Sequence, residues 1–185
     1  QVGTELAGDQ QGRTIHTSIV VRAAARALRE HPRINATFAD GEIHEQMAVN
    51  VGVAVALNEG LVVPVVRGAD AKPLKEIAEA IRDLAERARQ GTLTADDVAG
   101  GTFTVADLGA MGVDVFTPII NWPECAILGL GRIADRAVAR DGRVVVRPTM
   151  WLSLTFDHRM VDGAPAAGFL ARVRELLESP FLLFV

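Results

Sequence analysis

Val49-Asn50-Val51-Gly52-Val53-Ala54-Val55-Ala56-Leu57-Asn58-Glu59-Gly60-Leu61-Val62-Val63-Pro64-Val65-Val66 is the stretch that decides the fold class. Val49 to Leu57 reads as a long strand rich in valine and alanine, and Leu61 to Val66 as a second strand. Asn58-Glu59-Gly60 is the turn between them. Two apolar runs joined this tightly pair antiparallel. Pro64 has no backbone donor, so it favours a sheet edge or a bulge. The hairpin signal recurs elsewhere. Asp40-Gly41 follows the strand Ala36 to Ala39, and Asp141-Gly142 joins Ala137–Ala139 to Arg143–Arg147. So many hairpin turns argue for an α+β chain, with a mixed sheet flanked by about three helices, and against a doubly wound parallel sheet.

The helices have their own signals. Residues 2–6 read as a short strand end and Ala7 to Arg13 as a Gly-rich loop. Thr17 then caps a helix to Glu30, with Val20, Ala23, Ala24, Ala27 and Leu28 as its apolar stripe and His31-Pro32 as its stop. The clearest helix lies between Pro73 and Gly91, where Leu74, Ile77, Ala78, Ile81, Leu84, Ala85 and Ala88 recur at helical spacing. Thr94 caps a short turn through Asp97. Thr102–Ala106, Ala126–Leu130 and Met150–Phe156 read as strands, Trp122-Pro123 as a turn, and Gly163 to Glu178 as the last helix. The Gly-rich run Asp107 to Asp114 has the wrong glycine spacing for a dinucleotide fingerprint, and no helix pattern follows it.

Composition narrows the function. The 185 residues are enough for one domain with a substantial core. The net charge is −4 and the basic residues are dispersed, which argues against a nucleic-acid partner. Cys125 is the only cysteine. An internal disulfide is therefore excluded, a reducing compartment is expected, and the apolar run Cys125-Ala126-Ile127-Leu128 assigns the thiol to core packing. No run of about 18 apolar residues suggests a membrane span, and no signal peptide stands out. The first residue is Gln1 rather than methionine, so a piece of a longer polypeptide is expected.

One stretch carries chemistry: Asp157-His158-Arg159-Met160-Val161-Asp162-Gly163, between a strand and a helix. A histidine can take a proton from a thiol near neutral pH, and a carboxylate one helical turn later can orient it. Read alone, the same residues fit equally well a histidine hydrogen-bonded at a strand end, with Asp162 capping the helix. Asp157 and Arg159 suit an ion pair that fixes the loop. No further ligand lies at metal-binding spacing, and there is no Gly-x-Ser-x-Gly elbow for a serine hydrolase.

These residues resemble the active-site motif of the dihydrolipoamide acyltransferases, the transacylase components of 2-oxo acid dehydrogenase complexes. The shorter His-x-x-x-Asp-Gly form is shared with the chloramphenicol acetyltransferase superfamily. The resemblance continues through Asn50–Val55 with Gly60–Val66, Gly100-Gly101-Thr102-Phe103-Thr104-Val105, Phe116–Asn121 and Ala126–Gly129, in the family's order. It implies a chloramphenicol acetyltransferase-like fold over residues 1–185, with part of the family's N-terminal arm lying before Gln1 and without a lipoyl or subunit-binding domain. It implies homotrimers built into a larger symmetric core, with the site between subunits. Coenzyme A would enter as substrate, opposite a lipoyl group carried on a separate domain, with no metal. His158 would deprotonate the coenzyme A thiol and Asp162 would support it. The implied partners are the lipoyl domain, the decarboxylase and dihydrolipoamide dehydrogenase; neither nucleic acid nor membrane is implied. The expected location is cytoplasmic, or the mitochondrial matrix in a eukaryote.

The chain departs from the family at one point. Where the family has Ser or Thr followed by Asn at the coenzyme-binding site, this chain has Ala106 and Asp107. Ala106 offers no hydroxyl to a developing oxyanion, and Asp107 brings a negative charge. Thr104 faces the same side of the strand but is displaced by roughly 7 Å. Two alternatives follow. One is a weak or inactive scaffold with the acyltransferase fold; the other is an acyltransferase using another acceptor. The acyl group, whether acetyl, succinyl or branched-chain, is not legible from these residues.

Overall fold

The computed structural model describes residues 2–183. Its centre is a five-stranded mixed sheet. The strands that form it are β3 (Val51–Val53), β6 (Val65–Val66), β7 (Phe103–Asp107), β8 (Ala126–Leu130) and β11 (Leu152–Phe156), in the order β11-β8-β7-β3-β6. β7 runs parallel to β3 and β8, while β6 and β11 are antiparallel to their neighbours. The expected α+β mixed sheet is therefore present.

The opening stretch forms a bent pair rather than two long strands. β3 stops at Val53 and β4 (Val55–Leu57) restarts after Ala54, whose N–H is drawn to the Val105 carbonyl at 2.9 Å. β5 (Gly60–Val62) pairs antiparallel with β4, and β6 resumes only after Pro64. Pro64 has no N–H to give, and β6, which follows it, is one of the two edge strands of the sheet. Two further two-stranded hairpins are β1 (Ala36–Ala39) with β2 (Glu42–Glu45), and β9 (Ala134–Arg140) with β10 (Arg143–Thr149). Their turns place Asp40, Gly41, Asp141 and Gly142 at positive φ, which Asp-Gly pairs tolerate.

Helix α1 spans Val2–Glu30, which corrects the expected strand, loop and Thr17 cap. Extending an existing helix through a glycine costs only about 1 kcal/mol. Thr17 lies inside the helix, and its hydroxyl donates to Asp107 Oδ2 at 3.0 Å rather than capping. α2 (Leu74–Gln90) ends at Gly91 with φ 68, whose N–H donates to the Ala88 carbonyl, while Thr92 N–H reaches Arg87. The short α3 (Ala95–Val98) has the Thr94–Asp97 capping box. α4 spans Gly163–Glu178.

α1, α2 and α4 bury one face of the sheet. Val20, Ala24 and Leu28 of α1, Ile77 and Ile81 of α2, and Phe169 and Val173 of α4 join Val51, Phe103, Val105, Ala126 and Leu128 in one core. Phe103 and Phe169 meet edge-on at 5.4 Å. Strand alternation sends the residues between to the other face. Cross-strand pairing aligns Gly52, Thr104, Ala106, Ile127, Gly129, Ser153 and Thr155 there. Small and hydroxyl-bearing side chains leave that face open to loops: Phe116 lies where a Cβ on Gly129 would stand, 2.9 Å from its ring.

Candidate functional site

β11 delivers the motif to the end of the sheet. Asp157 N–H donates to the Cys125 carbonyl at 2.8 Å, and the Asp157 carbonyl accepts from Met160 and Val161. The resulting tight turn carries His158 at its outer corner, 71% exposed. His158 Nδ1 stands 3.6 Å from Asp162 Oδ1, and Phe156 packs against the imidazole at 5.5 Å. Asp162 occupies the N-cap position of α4, yet its side chain makes no capping hydrogen bond. Of the two readings of this stretch, the geometry has the carboxylate facing the histidine.

Asp157 and Arg159 form the expected ion pair. Arg159 Nε lies 3.0 and 3.1 Å from the two Asp157 oxygens, and Nη2 is 2.6 Å from Oδ2. The guanidinium holds the Asp157 carboxyl below its ordinary range. Its other side lies 4.5 Å from the Phe38 ring centre and 5.6 Å from that of Trp122. Sequence reasoning missed this stack, because its members come from three distant segments. Cys125, just behind the turn, is fully buried. Burial and the Asp157 charge push its thiol up to about 11, so it is packing, as expected.

Ala106 and Asp107 end β7. Asp107 is turned away from the open face: Oδ2 accepts from Thr17 and Oδ1 from Gly109 N–H at 2.9 Å. The two donors hold the carboxylate on the α1 side, and the Gly109 bond ties it to the 3-10 turn Gly109–Met111. A groove of about 480 Å³ runs beside Asp107, lined in part by His16, Val20, Gly131, Arg132 and Met150. Thr104 does not replace the missing hydroxyl of Ala106. It is fully buried and donates to Glu124 Oε2 at 2.6 Å.

Glu124 was not singled out from the sequence. It is 2% exposed, with Oε1 accepting from Asn121 Nδ2 at 3.2 Å. Burial raises its pKa to about 7 against the opposing hydrogen bonds from Thr104 and Asn121. A Cβ on Gly101 would lie 2.7 Å from Glu124 Oε1, so the second glycine of Gly100-Gly101 makes room for this carboxyl.

The chain does not bring the two halves of the candidate site together. Ala106 pairs with Gly129 of β8, whereas Asp157 N–H bonds to Cys125, the residue just before β8, and β7 and β11 lie on opposite sides of that strand. His158 is thus offset from Ala106 by about 16 Å along the strands and about 10 Å across them.

An open mixed sheet with helices on one face is a chloramphenicol acetyltransferase-like fold. A chloramphenicol acetyltransferase shares the fold at TM-score 0.52 and 17% identity, covering 87% of this chain and 77% of its own. This chain belongs to the family described as 2-oxoacid dehydrogenases acyltransferase (catalytic domain), which matches residues 2–185. The dihydrolipoyllysine-residue acetyltransferase component of the pyruvate dehydrogenase complex from Staphylococcus aureus is 42% identical over 98% of this chain. The chain spans 43% of that relative's length. The structure of the cubic core of a pyruvate dehydrogenase multienzyme complex superposes with a TM-score of 0.85 at 38% identity, covering 91% of this chain and 70% of its own. Azotobacter vinelandii dihydrolipoamide acetyltransferase does so at 0.85 and 37%, with the same coverage. That structure accompanied an investigation of a serine, a histidine and an asparagine in its catalytic mechanism.

Proposed function

We propose that this chain transfers an acyl group, acetyl by likeness to its relatives, between dihydrolipoamide and coenzyme A. The observation that carries the reading is the turn at the end of β11. It presents an exposed imidazole whose Nδ1 faces a carboxylate, leaving Nε2 free to take a proton. In the Azotobacter enzyme the histidine and asparagine are spaced as His158 and Asp162 are here, and the serine precedes the histidine by the same interval as Ala106 does.

The chemistry follows from the thiol. A thiol titrates near pH 8.5 and is a weak nucleophile while protonated. His158 Nε2 takes the proton from the coenzyme A sulfur, and the thiolate attacks the carbonyl carbon of the acyl-dihydrolipoamide thioester. The tetrahedral oxyanion collapses, the C–S bond to dihydrolipoamide breaks, and the leaving sulfur recovers the proton from the imidazolium. Asp162 supports the imidazolium in between. With Ala106 in place of a hydroxyl, oxyanion stabilisation falls to other donors, and removing one such donor costs about 10²–10³ in rate.

A base and an oxyanion donor serving one thioester must stand within about 9 Å of each other. The larger separation within one chain supports a site shared between subunits, with His158 from one copy facing Ala106-Asp107 of its neighbour. We take the assembly to be a homotrimer within a larger symmetric core, served by a lipoyl domain, a decarboxylase and dihydrolipoamide dehydrogenase, in the cytoplasm or the mitochondrial matrix. His158→Ala should abolish acyl transfer to coenzyme A while the fold persists by circular dichroism. Unchanged transfer would sink the reading.

A further inference from the structure

We propose that Arg159 is the positioning residue of His158: clamped by Asp157 and stacked on Phe38 and Trp122, its guanidinium fixes the turn on which the imidazole sits. The proposal rests on His158 being the base. The imidazole itself is held weakly, by one carboxylate at 3.6 Å and one ring contact, and is largely exposed. A base must nonetheless stay within a fraction of an ångström of its line of attack. The residues on either side of it are held much more firmly. Arg159 donates its backbone N–H to Asp157 Oδ1 at 3.0 Å, in addition to the side-chain bonds. The Asp157 side chain is 13% exposed, and its backbone is tied to Cys125. The far side of the guanidinium meets Phe38 of β1 and Trp122, which pack edge-on at 5.9 Å.

The clamp therefore joins the His158 turn to β1, to the start of β8 and to the Trp122 segment. Phe38 N–H donates to the Pro123 carbonyl at 2.9 Å and Cys125 N–H to the Ala36 carbonyl, so those three anchors are tied to one another. A planar fork that pairs with a carboxylate and stacks on rings is a property of arginine that lysine lacks. Trp122 is 60% exposed, so its role in this stack is not explained by core packing.

The test compares Arg159→Met, Arg159→Lys, Arg159→Ala and Trp122→Ala with His158→Ala in the assembled core, using coenzyme A and acyl-dihydrolipoamide. The expected result is a kcat about 100-fold lower in Arg159→Met, with both KM values within about twofold and the melting temperature little changed. Arg159→Lys should not restore it, whereas Arg159→Ala should regain activity with low-millimolar guanidinium in the assay. Wild-type kcat in Arg159→Met with an inactive His158→Ala overturns this inference alone. Activity in His158→Ala overturns the base assignment first. If Arg159→Met does not fold, Trp122→Ala answers instead. A several-fold lower kcat at unchanged KM supports the clamp, and wild-type kcat refutes it.

Discussion

Replacing Glu124 with glutamine should stabilise the protein at alkaline pH and change little in acid. The carboxyl is buried, accepts one hydroxyl and one amide hydrogen bond, and has no cationic partner among the described residues. Its pKa rises from the ordinary 4.5 to about 7. The folded protein thus binds this proton more tightly than the unfolded chain. The resulting stabilisation is full below about pH 4, is lost as pH rises towards 7, and is absent above that. At 1.36 kcal/mol per pKa unit, the loss between acid and pH 8 is about 3 kcal/mol. Glutamine does not ionise and keeps an oxygen for Thr104, while Asn121 can turn its amide to match. Glu124→Gln should therefore exceed the wild type by about 3 kcal/mol at pH 8, but by less than about 1 kcal/mol at pH 5. The assay is urea unfolding followed by circular dichroism at both pH values and one protein concentration. For a chain of this size the alkaline gain corresponds to about 6–12 °C in melting temperature. An equal gap at both pH values, or a loss at pH 8, would refute the account of a carboxyl held neutral by burial.

Three further substitutions probe the fold and the site. Ala106→Ser should raise kcat for acyl transfer about tenfold or more by restoring a hydroxyl at the end of β7; an unchanged rate would show that another donor already serves the oxyanion. Phe169→Ala removes a fully buried ring packed on Phe103 and His31, and should cost about 3–5 kcal/mol in denaturant unfolding. Gly131→Ala would put a Cβ 1.8 Å from the Asp114 carbonyl oxygen, so the loop must shift; a loss of about 3 kcal/mol or more is expected in thermal unfolding.

What could be read from the sequence was local. Asp-Gly pairs marked two hairpins, the seven apolar residues before Gly91 marked α2, and the His158 turn stood out because its residues are consecutive. The breaks at Ala54 and Pro64 were only half legible. Proline announces an edge, but the pairing that Ala54 N–H makes with the Val105 carbonyl, on a strand fifty residues away, leaves no local mark. The start of α1 was misread because its glycines look like a loop to any local rule. Glu124 and the Arg159 stack were invisible for the same reason. Each is built from side chains that become neighbours only when the sheet forms, although Gly101 beside Glu124 shows in hindsight where a glycine was making room. Asp107 looked harmful next to a developing oxyanion, but Thr17 and Gly109 turn its charge aside.

The central claim is that His158 of one subunit works against the β7 end of another. It is tested by mixing two inactive variants, His158→Ala and Ala106→Trp, under conditions where subunits exchange. If the site is shared, each mixed interface that pairs an intact His158 with an intact Ala106 is whole, and random mixing should recover about a quarter of wild-type activity. Activity that stays at the level of the separate variants, although mixed oligomers are present, would place both halves of the site in one chain and contradict the account.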